Sequence, residues 1–398
     1  MPRPASYPRV YFQMVLAGFT LNLAMGLSAS FLPILALELD PTGMLVGSVI
    51  SAWFLARVFV EVPSGFLSDR IGKRELIIFG LVLAVVGAAI CALSRSIYQL
   101  ILGRALWGLG CAFYFTIDMS LIMDLFDSSR RATAVGTFQS IEFIGSFVGA
   151  PLGAYIAVMF GFYSTFYLAT FMTFLSFLVV LASRDLKRVT RKHAGFTAVP
   201  VREIISDLRS WGLFAVCFCM FSRMLVEQGV KSTVFQLYLN QILSYDIATI
   251  GLLITARTAT FSIGTLISGR LFNRLGKSVL MIGLLLNALC IYLYVAVNSL
   301  TSLLLISLVE GIGSSMASVA LVVLLPEFVG KGMRGTAIGL YRTYMDLGGI
   351  FGPILFMFSY NFTGPGSPFL IAAGLLAANV VLIKSIRMNK NRKMTTSA

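Results

Sequence analysis

Twelve ionisable side chains stand inside stretches of this sequence that are otherwise apolar. Six are acids, Glu61, Asp118, Glu142, Glu227, Glu310 and Asp346, and six are cations, Arg57, Arg104, Arg223, Lys231, Arg257 and Arg342. A charge in hydrocarbon costs at least about 2.5–3.5 kcal/mol, so such groups are expected to be paired, water-lined or functional. Spacing supplies partners for some, because residues four apart share a helix face. Arg57 with Glu61, Arg342 with Asp346, and the row Arg223, Glu227, Lys231 can neutralise one another and hold helices together. Asp118, Glu142, Glu310, Arg104 and Arg257 have no such neighbour, so they must find partners across helix interfaces. A desolvated carboxyl near opposing cations can take up and release a proton, and that is the chemistry this pattern suggests.

Depth selects among the acids. Glu142 lies about 11 residues, roughly 16 Å, into its apolar stretch, and Asp346 about 13 residues into its own, so both are proton-coupling candidates near the midplane. Asp118 sits within two turns of a stretch's end and is grouped with a cytoplasmic gate. Other chemistries are poorly supplied. His193 is the only histidine, which leaves no His-based triad or zinc set. The five cysteines, at 91, 111, 217, 219 and 290, all fall in apolar stretches and read as packing residues rather than disulfides or metal ligands. No phosphate-cradling GxxxxGK[ST] loop and no nucleophile with its base are found, so an ATP-driven pump, an enzyme and a bound cofactor or metal are not expected.

The elements that must carry these residues follow from composition. Of 398 residues 58% are hydrophobic and 12% charged, with a mean hydropathy of +0.88, far outside soluble norms. Apolar stretches long enough to cross a ~30 Å hydrocarbon core recur along the chain. Their length excludes a β-barrel, whose strands would span about ten alternating residues. Twelve helical spans are expected, at 10–37, 42–67, 75–94, 96–123, 131–159, 162–182, 211–239, 245–271, 277–297, 299–325, 333–360 and 366–386. The fold class is an all-α polytopic membrane protein. MPRPASYPRVYF has no short apolar core with a small-residue cleavage site, so the first span is expected to be retained as an anchor.

A net charge of +14 raises the question of a nucleic-acid partner, and the positions of the cations answer it. Segments on the side of the N-terminus carry 24 of the 31 Lys and Arg, the opposite loops carry only Arg95, and the other six lie within spans. The basic charge is therefore topological, with both termini cytoplasmic in a plasma membrane, and no nucleic-acid partner is expected.

The halves repeat at an offset of 203 to 204 residues. Gly65-Phe-Leu-Ser-Asp69-Arg70-Ile-Gly72-Lys73 matches Gly269-Arg-Leu-Phe-Asn273-Arg274-Leu-Gly276-Lys277, Arg131-Ala-Thr-Ala-Val-Gly136 matches Arg334-Gly-Thr-Ala-Ile-Gly339, and Gly145 and Gly149 match Gly348 and Gly352. Two pseudo-symmetric six-helix bundles are expected, 1–182 and 211–398, joined by a basic cytoplasmic linker at 183–210 whose residues 201–210 can form a short interfacial helix. Parallel repeats of this size are a transporter architecture in which the central site lies between the repeats.

Gly65-x-Leu67-x-Asp69-Arg70-x-Gly72-Lys73-Arg74 resembles the signature loop of the major facilitator superfamily. Arg104-Ala-Leu-Trp107-Gly108-Leu-Gly110 resembles its second motif, with Trp107 where Gln is common. Gly145-x-x-x-Gly149-Ala150-Pro151-Leu-Gly153 resembles the glycine-proline motif of its antiporters. Ala150 occupies the usual proline position there, whereas Gly348-x-x-x-Gly352-Pro353 keeps the order. The resemblance covers all twelve spans. It implies a secondary transporter that moves a small organic solute by alternating access, with proton-coupled efflux as the first reading. Uptake of an organic anion, or a non-transporting receptor on the same scaffold, is the alternative.

The resemblance also implies roles. Asp69 would latch the cytoplasmic face by meeting the start of the eleventh span or Arg130 and Arg131, with Asn273 making the latch one-sided. Arg104 would tune a neighbouring acid as a fixed cation. Arg57, Glu227, Arg257, Glu310, Arg342, Tyr114 and Tyr341 are candidates to line the solute cavity, the tyrosines with packing as the competing reading. The ladder Gly145, Gly149, Gly153 reads as close packing that lets the fifth span rock against the eighth. The partners expected are a small-molecule solute, protons and the lipid bilayer, around a monomer.

Overall fold

The computed structural model describes residues 9–126, 128–184, 186–187, 210–328 and 334–386, without the side chains of 61–70, 119–120, 123–124, 128–136, 139, 273, 326 and 334–339. Among the described residues the chain is helical and has no strand. The helices are α1 Arg9–Leu27, α2 Leu32–Leu39, α3 Val46–Ile71, α4 Lys73–Leu93, α5 Ile97–Leu125, α6 Ser128–Phe160 and α7 Phe162–Ala182. They continue as α8 Trp211–Ile242, then α9 Ile247–Leu275, α10 Ser278–Ala296, α11 Leu300–Leu324, α12 Arg334–Thr363 and α13 Ser367–Ser385. Among the described residues ten helices are long and apolar enough to cross a membrane, and α3 and α12 run 26 and 30 residues. The protein is an all-α polytopic membrane protein. All but the last residue of the expected interfacial helix at 201–210, and nearly all of the linker, lie outside the described residues.

The first expected span is broken rather than continuous. Inside one helix Pro33 would clash with the carbonyl of Ala29 and leave it without a donor. The chain instead turns at residues 28–31 and restarts as α2, with Pro33 in the first turn where its missing N–H costs nothing. The Ala29 carbonyl is satisfied from elsewhere, by the Gln236 side chain of α8, which donates to it at 2.7 Å. The loop expected around Gly65 to Arg74 is shorter than its motif. α3 runs through Ile71, and the turn is Gly72 alone, at φ 113°, a left-handed conformation that favours glycine.

Two compact units are formed, Met1–Ala198 with Glu227–Thr255 and Gly349–Pro365, and Val199–Val226 with Ala256–Gly348 and Gly366–Ala398. In the first, α4 packs on α5 and α7, and α1 on α6 and α7. In the second, α10 packs on α11 and α13, and the first part of α8 on α13. These are the same pairings one repeat later. A Cβ on Gly80 would come within 2.8 Å of the Gly110 carbonyl, and one on Gly283 within 2.7 Å of the Gly313 carbonyl, so the 203-residue offset holds at single contacts. The helix ends repeat too. Arg74 donates to the Leu181 carbonyl at the end of α7 at 2.8 Å, and Lys277, 203 residues on, donates to the Ile386 carbonyl after α13 at 2.7 Å. A cation at a helix C-terminus satisfies an orphan carbonyl and suits the dipole.

The glycine ladder corrects an expectation. Gly145, Gly149 and Gly153 face α1, not α9: a Cβ at Gly149 would meet the Leu23 carbonyl at 2.6 Å, and one at Gly153 the Cα of Leu27 at 2.7 Å. α9 reaches α6 at the next position instead, where a Cβ on Gly251 would lie 2.6 Å from that of Ala154. Pro151 sits inside α6 on its exposed side, so its ring does not interrupt the ladder. The second copy repeats the arrangement, with Gly348 of α12 against Phe221, Met224 and Leu225 of α8.

Candidate functional site

Two buried carboxyls meet in the first unit. α5 carries Asp118, 1% exposed, and α6 carries Glu142, 7% exposed, and the two carboxyls lie close enough to influence one another. Two ionised carboxylates repel, and neither can donate a hydrogen bond to the other. Asp118 thus faces a second buried acid, whereas the sequence grouped it with the gate. α1 makes the room. A Cβ on Gly18 would come within 2.9 Å of Cγ and Cδ of Glu142, so only glycine leaves space for this carboxyl. One turn up α5, the fully buried Tyr114 donates to the Met14 carbonyl of α1 at 3.1 Å. Its hydroxyl proton is thereby engaged at the interface between α5 and α1. Polarity continues along α6, where the Ser146 hydroxyl lies 3.2 Å from the Asn22 carbonyl and 3.3 Å from Asn22 Oδ1.

A second cluster forms in the second unit. Arg257 Nε of α9 stands 3.8 Å from Glu310 Oε2 of α11, and Glu310 is 0% exposed. The pair that sequence spacing could not supply is made across a helix interface. Ser314 lies 2.6 Å from Glu310 Oε1 and 2.9 Å from Asn287 Oδ1 of α10. Asn287 Nδ2 donates to the Gly283 carbonyl at 2.8 Å, which fixes the amide so that its oxygen faces Ser314. One hydroxyl proton faces two acceptors and can bond only one of them at a time.

α8 holds the third cluster. Glu227–Val234 and Tyr238–Ile242 are wound as π-helix, and the Thr233 hydroxyl donates to the Gln228 carbonyl five residues back at 2.7 Å. Lys231, 4% exposed, donates to Glu227 Oε2 at 3.0 Å, one limb of the expected row. π-Turns inside helices are frequent at functional positions. In the second unit Arg223 approaches the Met220 sulfur at 3.9 Å and lies in electrostatic reach of the buried Tyr341. Asp346 on α12 is fully buried and Arg342 half-buried.

Other expected residues are placed by backbone alone. Gly65, Asp69 and Arg70 lie on the last turns of α3, Arg130 and Arg131 on the first turn of α6, and Gly352 and Pro353 within α12. The side chains of Glu61, Asp69, Arg70, Arg130 and Arg131 are outside the described set. Lys73 opens α4. Arg57 is half-buried beside Phe54, its Cζ 5.9 Å from the ring centroid. Arg104 is half-buried with its Cζ 4.6 Å from the Trp53 ring and 5.6 Å from Trp107. Its neighbours there are indoles and the thiols of Cys91 and Cys111. Gln236, Asn287 and Ser314 were missed by sequence reasoning, which weighed only charged and aromatic residues, although polar side chains in apolar spans are a signal of the same kind.

The Major Facilitator Superfamily model matches residues 14–227 and 216–397. The chain belongs to the Major Facilitator Superfamily. Relatives of this superfamily member match it over more than nine-tenths of its length. The quinolone resistance protein NorA of Staphylococcus aureus is 24% identical over 373 residues, covering 92% of this chain and 93% of the relative. Multidrug resistance protein 1 of Bacillus subtilis is 22% identical over 390 residues, 95% and 96% of the two chains. A crystal structure of peptide transporter POT in complex with sulfate matches the fold with a TM-score of 0.78 at 16% identity, over 97% and 96% of the two chains. Superfamily membership and the apolar helices make this chain an integral, multi-pass membrane transporter.

Proposed function

We propose that this transporter exports small amphipathic organic solutes in exchange for protons, by alternating access of two six-helix halves, 1–182 and 211–398, joined by the 183–210 linker. The observation that carries proton coupling is the pair of buried carboxyls, Asp118 and Glu142, that two neighbouring helices bring together. Like charges this close cannot both ionise without large cost, so one proton is held until a change of surroundings releases it. Glu310, with Arg257 and the Ser314 hydroxyl, is suited to answer in the second half, and Asp346 is a further buried acid. Export is supported by relatives named for quinolone and multidrug resistance. The cation distribution supports cytoplasmic termini in a plasma membrane, and the unit of function is a monomer. Asp69, Arg70, Lys73, Arg130 and Arg131 form the cytoplasmic latch in this reading.

The test is flux of a cationic dye in everted vesicles under an imposed pH gradient. Gradient-driven uptake is expected for the wild type and not for Glu142→Gln or Asp118→Asn. Equal flux in all three would sink coupling through this pair. Uptake of an organic anion is the second reading, favoured by the half-buried Arg57, Arg104 and Arg342. Accumulation of an organic acid by right-side-out vesicles without its export would decide for it.

A further inference from the structure

The repeat exposes an asymmetry in how the two halves treat their buried cations. Offset by 203, Trp107 corresponds to Glu310 and Phe54 to Arg257. The second half therefore closes an Arg257–Glu310 ion pair where the first half sets aromatic side chains. The first half's own cation here, Arg104, stands where the second has Ser307, and no carboxyl among the described residues meets it. Trp53 and Trp107 lie edge to face at 5.7 Å, 73° apart, with the Arg104 guanidinium against both rings. Close approach of the helices holds them so, since a Cβ on Gly108 of α5 would fall 2.6 Å from the Trp53 carbonyl of α3.

Stacking occupies the face of a guanidinium and leaves its in-plane N–H fork unused. Arg104 Nε is buried without a hydrogen-bond partner, and so is the indole N–H of Trp107, a residue 0% exposed. Buried donors without acceptors are uncommon and costly, and a cation in a membrane span without an acid is more so. A ligand that met these groups would bring two things together, a carboxylate for the fork and the indole N–H, and a planar ring for the indole faces. We propose that Arg104, Trp107 and Trp53 form a subsite for the acid group of an aromatic carboxylate solute, bound from within the first half. The proposal rests on the transporter reading and deepens it by naming the class of solute. A lipid phosphate offers the fork similar oxygens but no ring.

The chain carries its own reporter, since two of its three tryptophans are in the subsite. The third, Trp211, is 55% exposed at the start of α8, so Trp211→Phe leaves the fluorescence to Trp53 and Trp107. The experiment titrates this purified protein with 4-bromobenzoate, a heavy-atom quencher, against 4-bromobenzamide as its neutral isostere and dihexanoylphosphatidylglycerol as the lipid arm. Saturable quenching by the acid is expected, about ten-fold or more weaker for the amide because the charge-assisted bonds are lost. Arg104→Met should abolish it, Arg104→Lys weaken it by removing the fork, and Trp107→Phe weaken it while keeping a ring. Amide and acid quenching alike, undiminished quenching in Arg104→Met, or displacement of the acid by the lipid at equal concentration would each overturn the proposal. Should Arg104→Met lose its thermal transition, undiminished quenching in both Arg104→Lys and Trp107→Phe overturns it. The transporter reading fails separately, if wild-type vesicles move neither a cationic dye nor the aromatic acid while acid quenching is intact.

Discussion

Replacing Glu142 by Gln or Asp118 by Asn leaves the pair able to hydrogen-bond, because an amide can donate to the remaining carboxyl, but removes one of the two groups proposed to give up the proton. Thermal stability in detergent should change by no more than about 1 kcal/mol, while pH-gradient-driven flux should fall by about ten-fold or more, a barrier change of about 1.4 kcal/mol. A large loss of stability with flux preserved would make the pair structural. The Arg257–Glu310 contact gives an independent residue-scale test. Arg257→Met strands a fully buried carboxyl, which costs about 3–5 kcal/mol when a buried pair is broken on one side. Adding Glu310→Gln removes the stranded charge, so the double variant should melt above Arg257→Met alone. If the double variant melts below both singles, Glu310 is held by Ser314 and Asn287 rather than by the arginine.

Helix contacts make predictions of a different kind. Gly149→Ala pushes a methyl into the α1 backbone near Leu23 and Gly26, where overpacking costs about 1–3 kcal/mol. Gly374→Ala on α13 meets nothing within 4 Å, so it should stabilise by about 0.5–1 kcal/mol through helix propensity. Melting temperatures that move together would show that the α1–α6 ladder is not a close contact. Gln236→Ala leaves the Ala29 carbonyl without its donor at the break between α1 and α2, an expected loss of about 1–3 kcal/mol. These contacts explain why small residues recur at the α6 and α12 positions. Lipid tails are as apolar as leucine, so helices associate by close packing rather than by hydrophobic burial.

At the scale of the molecule, the cation distribution predicts Gly72 and Gly276 on one side of the membrane and Arg95 on the other. All five native cysteines are buried, so single-cysteine replacements at Gly276 and Arg95 should report without much background. A membrane-impermeant maleimide applied to intact cells is expected to label Arg95→Cys and to leave Gly276→Cys unlabelled until the membrane is opened. The reverse pattern would invert the assigned topology and, with it, the direction of proton-driven export.

Hydropathy along the chain by itself determined that this is an all-α membrane protein with two related halves, because span length and charge placement are properties of sequence that no packing can alter. The family was legible in the Gly65 to Arg74 loop for the same reason. Pairs within one helix were legible where spacing alone made them, as with Glu227 and Lys231. The tertiary structure decided what spacing cannot reach. It put Asp118 beside Glu142 from different helices, closed Arg257 on Glu310 across another interface, turned the glycine ladder toward α1, and gave Arg104 indoles where an acid was expected. A helix fixes which of its residues share a face, but the partner that face meets depends on how neighbouring helices pack.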